Sequence, residues 1–332
     1  MQRRDDPPAL VPLFDAVVAS PDDDAPRQVL ADALLERGDL RGEFLALQLL
    51  SARGVATPAQ QQREEALRAD HQQRWLREIP GLGESPVIVE GGTVQFHRGF
   101  PRSAVLTPRG EGVDSPTWRL LERLDVVSHD GPVPRELAAP ALGRLEVLTG
   151  LDGPGLAVLL AGPERPRLRE LGVHGPAMLA DRGAREQAQV LALTRFPALK
   201  VLSLAPTPFR HHADWLSWLF AAPLLRQLDR LRLQLELPFD VAGLHAQLVR
   251  QELPRLTLEL ATLGVSLRLH RGALTVHFAN VFWLGQHERA LRNLASRFAP
   301  FPYGRFEVRV GERPATRAEL ERLGDVFVTH GT

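Results

Sequence analysis

Apolar residues along the chain fall into one recurring phrase, Leu-x-x-Leu-x-Leu/Val. Six copies occur: Leu121-Leu124-Val126, Leu142-Leu145-Val147, Leu168-Leu171-Val173, Leu199-Leu202-Leu204, Leu228-Leu231-Leu233 and Leu253-Leu256-Leu258. The middle leucines are separated by 21, 26, 31, 29 and 25 residues. That range overlaps the roughly 20–29-residue period of leucine-rich repeats and runs slightly above it. Within each phrase the last two apolar residues are two apart, which is strand spacing and places both side chains on one face. A lone strand of this kind cannot bury that face. Stacked copies bury theirs together, each Leu or Val contributing roughly 1.5–3 kcal/mol before ordering entropy is subtracted. Helical spacing marks the stretches between phrases, at 184–194, 212–221 and 241–252, the last with Leu244, Leu248 and Val249 inward. The expected fold class is α/β: a short, irregular leucine-rich-repeat-like solenoid with parallel strands, an N-terminal helical domain and a C-terminal α+β cap. An ordinary α/β sheet with helices on one side is the alternative. Asn280 and Asn293 are the only asparagines, and neither comes just after a phrase. The turns beside the strands therefore need a closure other than the Asn side chain common in such repeats.

The flanks read differently, and four segments result: 1–52, 53–112, 113–262 and 263–332. In the first, Leu10, Leu13, Phe14, Val17 and Val18 have helical spacing. Ser20-Pro21-Asp22-Asp23 reads as the start of a second helix, with Ser20 as N-cap and Pro21 as first helical residue. Val29, Leu30, Ala33 and Leu34 point inward in that expectation, and Gly38 ends the helix as a left-handed cap. Asp39 caps a third helix carrying Phe44, Leu45, Leu47, Leu49 and Leu50. Segment 53–112 is a polar linker, then a helix with Leu67, His71, Trp75 and Leu76 on one stripe, then strands at 87–89 and 93–96 around Gly91-Gly92. It caps the first repeat. The 113–262 segment holds the repeats. In 263–332, residues 265–269 and 274–278 alternate around Arg271-Gly272 as a hairpin. A helix at 283–298, a strand at 306–310 and a helix at 316–323 complete the segment.

Within the first segment the runs Asp22-Asp23-Asp24-Ala25-Pro26-Arg27, Ala31-Asp32-Ala33-Leu34-Leu35-Glu36-Arg37-Gly38-Asp39 and Arg41-Gly42-Glu43-Phe44-Leu45-Ala46-Leu47-Gln48 are similar to the repeat-companion domain. That short helical domain precedes leucine-rich repeats in paralogous families of myxobacteria and planctomycetes. Trp75-Leu76 and Arg98-Gly99-Phe100-Pro101 also resemble the stretch C-terminal to the domain in such proteins. This chain departs from the family at Ala33, where a tryptophan is frequent. The resemblance implies a companion-plus-repeats layout and a bacterial source, and supplies no active site. Two readings of the domain's charges stay open. Asp32, Glu36, Asp39 and Glu43 pair internally with Arg27, Arg37 and Arg41, or they form a docking surface. A calcium loop does not fit the spacing of Asp22, Asp24 and Gly38.

Composition narrows the chemistry. The 332 residues carry 40 basic and 40 acidic side chains, so no net field favours nucleic acid or an anionic membrane. With no cysteine there is no disulfide, thiolate nucleophile or zinc ribbon. No stretch of 18 apolar residues occurs and the first residues lack a signal core, so a cytoplasmic location is expected. Phosphate loops, dinucleotide fingerprints, His-Glu-x-x-His and Gly-x-Ser-x-Gly are absent. His211, His212, Asp214 and the isolated His287-Glu288 do not make a metal or acid–base site, and no cofactor is expected.

Strand geometry yields the candidate surface. Between the inward residues of each phrase, Asp125, Glu146, Gly172, Ser203, Arg232 and Thr257 point out, flanked by a column of Arg123, Arg144, Glu170, Val201, Arg230 and Arg255. The expected partner-binding residues are Asp125, Glu146, Glu170, Arg230, Arg232, Arg255 and Arg268. A surface of both signs suits a protein partner. A non-enzymatic interaction protein is therefore expected. The alternatives are an enzyme using His270, His277 or His287 beside the C-terminal unit, and a nucleic-acid binder using the late arginines with Arg268 and Arg271.

Overall fold

A computed structural model of the chain describes residues 10–77, 95–106, 116–126, 135–174, 183–205, 219, 222–234, 253, 255–262, 265–270, 273–279 and 305–322. The fold is mixed α/β, and its sheet structure is mostly parallel and unclosed. Two compact units divide the chain, Met1–Leu168 and Arg169–Thr332, so the repeat segment contributes to both. The expected helices at 241–252 and 283–298, the strand at 87–89 and the Gly91-Gly92 turn lie outside the described residues, as does nearly all of 212–221.

The first unit begins with helices α1 (Val11–Ala19), α2 (Ala25–Leu35), α3 (Leu40–Ala52) and α4 (Pro58–Arg77). Phe14, Val17, Leu30, Leu34, Phe44, Leu45, Leu67 and Trp75 form their core, with Phe100 and Leu120 joining it. The Phe14 and Phe100 rings meet edge to face at 5.5 Å, and Phe44 lies 4.9 Å from Trp75. Two expected caps are present: Gly38 has φ +67, and the Asp39 carboxylate accepts the Arg41 N–H at 3.0 Å.

The start of α2 differs from expectation. A turn closed by Asp23 N–H on Ser20 O occupies the acidic run, and Pro26, not Pro21, sits in the first helical turn. The inward stripe also differs, comprising positions 27, 30, 31 and 34. Val29 is left 53% exposed, and Arg27 takes a core position. Of the expected internal pairs, Arg41 meets Asp39 at 2.5 Å, while Glu43 pairs with Arg63 of α4.

Buried Gln48 ties α3 to two neighbours. Its amide donates to Glu64 of α4 at 2.9 Å, and its carbonyl accepts the Gly99 N–H at 2.8 Å. Gly99 belongs to the two-residue turn Arg98-Gly99 joining β1 (Phe96–His97) to antiparallel β2 (Phe100–Pro101). Both turn residues have positive φ, +50 and +82, as a hairpin turn of the right twist requires. Strands β3 (Ser103–Leu106), β4 (Arg123–Val126) and β5 (Val147–Leu151) come next, paired in parallel, and α5 (Gly153–Ala161) is capped by Asp152.

The second unit contains β6 (Glu170–His174), α6 (Gly183–Ala192), β7 (Val201–Ala205), β8 (Arg230–Gln234) and β9 (Thr257–Thr262), with the four strands parallel. Leu171, Leu202, Leu231 and Leu258 lie side by side, as do Val173, Leu204, Leu233 and Leu260, and all eight are buried. Strand β10 (Val265–His270) turns back antiparallel, β11 (Ala273–Phe278) completes the expected hairpin, and β12 (Arg305–Val310) runs parallel to β11. After β13 (Arg313–Pro314), the short α7 (Arg317–Arg322) opens with a capping box. Glu319 accepts the Thr316 N–H at 2.8 Å, and Thr316 Oγ1 accepts the Glu319 N–H.

Backbone hydrogen bonds correct the frame of two phrases. Leu121, Leu145, Leu168, Leu199, Leu228 and Leu256 each donate their N–H to the carbonyl three residues back, closing a tight turn before a strand. Strand register, together with these bonds, moves the second phrase on by three residues and the sixth by two. Leu148 then pairs with Leu124, and Leu258 with Leu231. The same bonds reveal how the turns close without asparagine. The carbonyls of Arg102, Glu122, Arg169 and Lys200 each accept two consecutive N–H groups from the beginning of the next strand, as with Asp229 and Arg230 on Lys200 at 2.8 and 3.0 Å.

These packings can be tested at two positions. At Gly42 an added methyl would stand 2.6 Å from Ala31 O and 2.7 Å from Leu35 N, both backbone atoms. Gly42→Ala is expected to force α2 and α3 apart and destabilise the unit by about 1–3 kcal/mol in urea unfolding; an unchanged midpoint would contradict so close a crossing. Glu319 is held at a pKa of about 2, against 4.5 ordinarily, chiefly by hydrogen bonds from Arg313 and then from Thr316. A depressed carboxyl pKa gives stability that is complete above pH 4.5 and lost as pH falls through 2. Glu319→Gln should flatten the fall in stability between those pH values, measured by acid titration of the circular dichroism signal.

Candidate functional site

The outward face of the second unit's strands collects polar residues because alternation sends each leucine's neighbour the other way. Register places Gly172, Ser203, Arg232, Glu259, Arg268, Thr275 and Glu307 in one row across β6 to β12. Charges of opposite sign meet within it. Arg232 Nε donates to Glu259 at 3.0 Å, its Nη1 reaches Glu170 at 3.4 Å, and Arg268 approaches the other Glu259 oxygen at 3.7 Å. The Glu259 side chain is only 14% exposed between the two arginines, whereas Arg232 remains 39% and Arg268 53% exposed. Next to this row Glu170, Val201, Arg230 and Thr257 stand in register.

Of the expected partner-binding residues, Glu170, Arg230, Arg232 and Arg268 therefore share the strand face of the second unit. Arg255 does not: it is exposed in the turn ahead of β9, because strand register sets the sixth phrase two residues later than leucine spacing suggests. Glu259 takes the place in the Arg232 row that the spacing assigns to Thr257. In the first unit Asp125 lies on β4 and accepts a hydrogen bond from Thr149 Oγ1, its register partner on β5. Glu146, expected beside it, precedes β5 and donates its N–H to Glu122 O. The reframed second phrase puts Thr149 in that row.

The histidines of the enzyme alternative are engaged singly. His270 Nδ1 lies 3.0 Å from Thr257 Oγ1, and His277 Nε2 lies 2.9 Å from Gly311 O. They occupy the same strand face but stand about four residues apart in register, roughly 13 Å. His287 and Arg271 lie outside the described residues. Among the described residues no group of three or more His, Asp or Glu side chains is placed to hold a metal, and no helix is long and apolar enough to cross a membrane.

The first unit contains a second polar feature, which strand periodicity does not signal. A cavity of about 190 Å³ opens beside the β1–β2 turn, lined among others by Asp22, Arg27, His97, Arg98, Arg102 and Glu122. Arg144, expected on the flanking column, instead sits in the turn before β5 and reaches Asp22 at 3.0 Å and Glu122 at 3.7 Å. Burial, then repulsion from Arg102 and Arg98, pushes the His97 pKa below its ordinary value. The only sequence signal for this cluster is the Arg98-Gly99 turn; its members are scattered between positions 22 and 144.

Comparison with protein-family models, curated proteins and solved structures gives no match to this chain.

The pairing on the strand face is measurable. A double-mutant cycle of Arg232→Ala with Glu259→Ala should return a coupling of about 0.2–1 kcal/mol that shrinks as salt is added. Zero coupling at low salt would show that the two side chains do not meet in solution.

Proposed function

We propose that this protein is a non-enzymatic interaction scaffold whose leucine phrases stack as a short, irregular leucine-rich-repeat-like solenoid and whose outward strand face binds a protein partner. The observation that carries this reading is the mixed-sign row of Arg232, Glu259 and Arg268, with Glu170 and Arg230 beside it. Cross-strand pairing holds these side chains in fixed positions, which lowers the entropy lost when a partner binds. The exposed edges of Arg232 and Arg268 keep donors free for carbonyls and carboxylates. A surface with both signs complements a folded protein, whereas a phosphate backbone would meet Glu170 and Glu259 as repulsive groups. The helical domain resembling the repeat-companion domain caps the repeats or docks a second partner. The separate hydrogen bonds of His270 and His277 do not support the enzyme alternative, since among the described residues neither histidine is bonded to the other or to a carboxylate.

The test is charge reversal. A partner is isolated by affinity purification from the native host, identified by mass spectrometry and prepared pure. The double variant Arg230→Glu, Arg232→Glu should bind it at least tenfold more weakly with an unchanged circular dichroism spectrum. Equal affinity in the folded variant would refute the assignment of this face.

A further inference from the structure

The cavity beside the β1–β2 turn has more cationic than anionic groups around it. Arg27, Arg53, Arg98, Arg102 and Arg144 meet three carboxylates, Asp22, Asp24 and Glu122. Each of those carboxylates is paired with an arginine, although Asp24 Oδ1 has no hydrogen bond among the described residues. Asp22 receives both terminal nitrogens of Arg144, at 3.0 and 3.4 Å. Glu122 receives Arg102 at 2.5 Å, and Asp24 receives Arg53 at 3.1 Å, with Arg98 at 3.5 Å. Among the described residues Arg27 forms no ion pair of its own, although Asp24 and Asp22 act on it from further off. It is 4% exposed, its guanidinium lies 5.8 Å from the centre of the Phe100 ring, and one terminal nitrogen donates to Asp23 O at 2.9 Å. Among the described residues its Nε has no hydrogen-bond partner, and neither has the Nε of Arg98, whose Nη1 donates to Asp22 O at 3.0 Å. Buried donors left without acceptors cost free energy, and two guanidiniums this close repel. Burial, then Arg98, indeed lowers the Arg27 pKa from its usual value.

We infer that this cavity binds a small tetrahedral oxyanion, a phosphate or phosphate monoester, between Arg27 and Arg98. Its volume, about 190 Å³, is several times the roughly 30 Å³ that one water occupies in the liquid. Guanidinium-bearing residues of two elements line it, Arg27 of α2 and Arg98 of the β1–β2 turn, together with His97. Guanidinium donors on separate sides suit a group with oxygens on every side better than a planar carboxylate. Arg144 completes the site from behind by neutralising Asp22 and contributing to Glu122, the two acidic residues that line the cavity. The fold holds Arg98 in place: its backbone is in the left-handed turn, and the next residue, Gly99, is bonded to Gln48. The site is independent of the strand face.

The experiment is calorimetric titration of the full chain with orthophosphate at constant ionic strength, with phenyl phosphate and acetate as separate arms. One saturable site for orthophosphate or phenyl phosphate, with acetate much weaker, is expected; the tighter of the two identifies a free anion or a monoester as the natural source. Arg98→Asn keeps a residue that tolerates the left-handed turn, and Arg27→Met keeps the packing on Phe100. Each should weaken phosphate binding at least tenfold, and Arg226→Gln, in the second unit, should not. The wild-type protein decides first, because the absence of saturable phosphate binding would overturn the proposal. So would phosphate affinity unchanged in both folded variants, or acetate binding equal to phosphate.

Discussion

The shared burial of leucine side chains on neighbouring strands is the constraint on which the rest of the structure depends. Leu202 and Leu204 of β7 are buried where Leu171 and Val173 of β6 stand on one side and Leu231 and Leu233 of β8 on the other. No strand of this length buries its apolar face alone, so each is stabilised by its neighbours. The register that closes those rows also settles everything on the opposite face. A slip of one residue would exchange the leucines for the charged row. Arg232, Glu259 and Arg268 lie side by side because Leu231 and Leu258, together with Leu258 and Leu269, are matched beneath them.

Arginine serves three physical roles in this chain. On the strand face it pairs with carboxylates across neighbouring strands and stays partly exposed to water. At Arg165, 1% exposed, it closes backbone: Nη2 donates to Leu137 O and Ala139 O at 2.9 and 2.8 Å, satisfying carbonyls that precede the second strand phrase. Beside the β1–β2 turn, Arg27 packs on an aromatic ring and faces a cavity. That third role follows from the face that α2 turns inward, which brings position 27 to Phe100 and leaves Val29 in water. An aliphatic residue exposed and a guanidinium buried is the reverse of the usual preference. The exchange is explained by the cation–π contact and the carbonyl of Asp23.

Much of the architecture is legible in the order of residues. Strand spacing within the leucine phrases marks the parallel pairs, and alternation at 265–278 marks the antiparallel hairpin. Gly38 and Asp39 announce a helix end and a helix start through local backbone chemistry. The inward and outward assignment of Arg230 and Arg232 comes from period two. Spacing frames the second phrase three residues early and the sixth two, since Leu142 and Leu253 have the same spacing as true first leucines. It does not tell which leucine stands level with the leucine of the neighbouring strand, and for that reason it misplaces Glu146, Arg255 and Thr257 and passes over Glu259.

By itself, the sequence determined what depends on neighbours along the chain: strand periodicity, the alternation of faces, helix caps and the lack of any thiol chemistry. Tertiary structure alone decided which residues far apart in the chain meet. It brought Arg232 between Glu170 and Glu259, gathered Arg27, Arg98 and Arg144 around residues of three different segments, and replaced asparagine closure with backbone carbonyls that each accept two N–H groups. The physical reason is that hydrophobic burial has no direction of its own. It sets which face of each element turns inward, while register, hydrogen-bond geometry and the desolvation of buried charge select the partners.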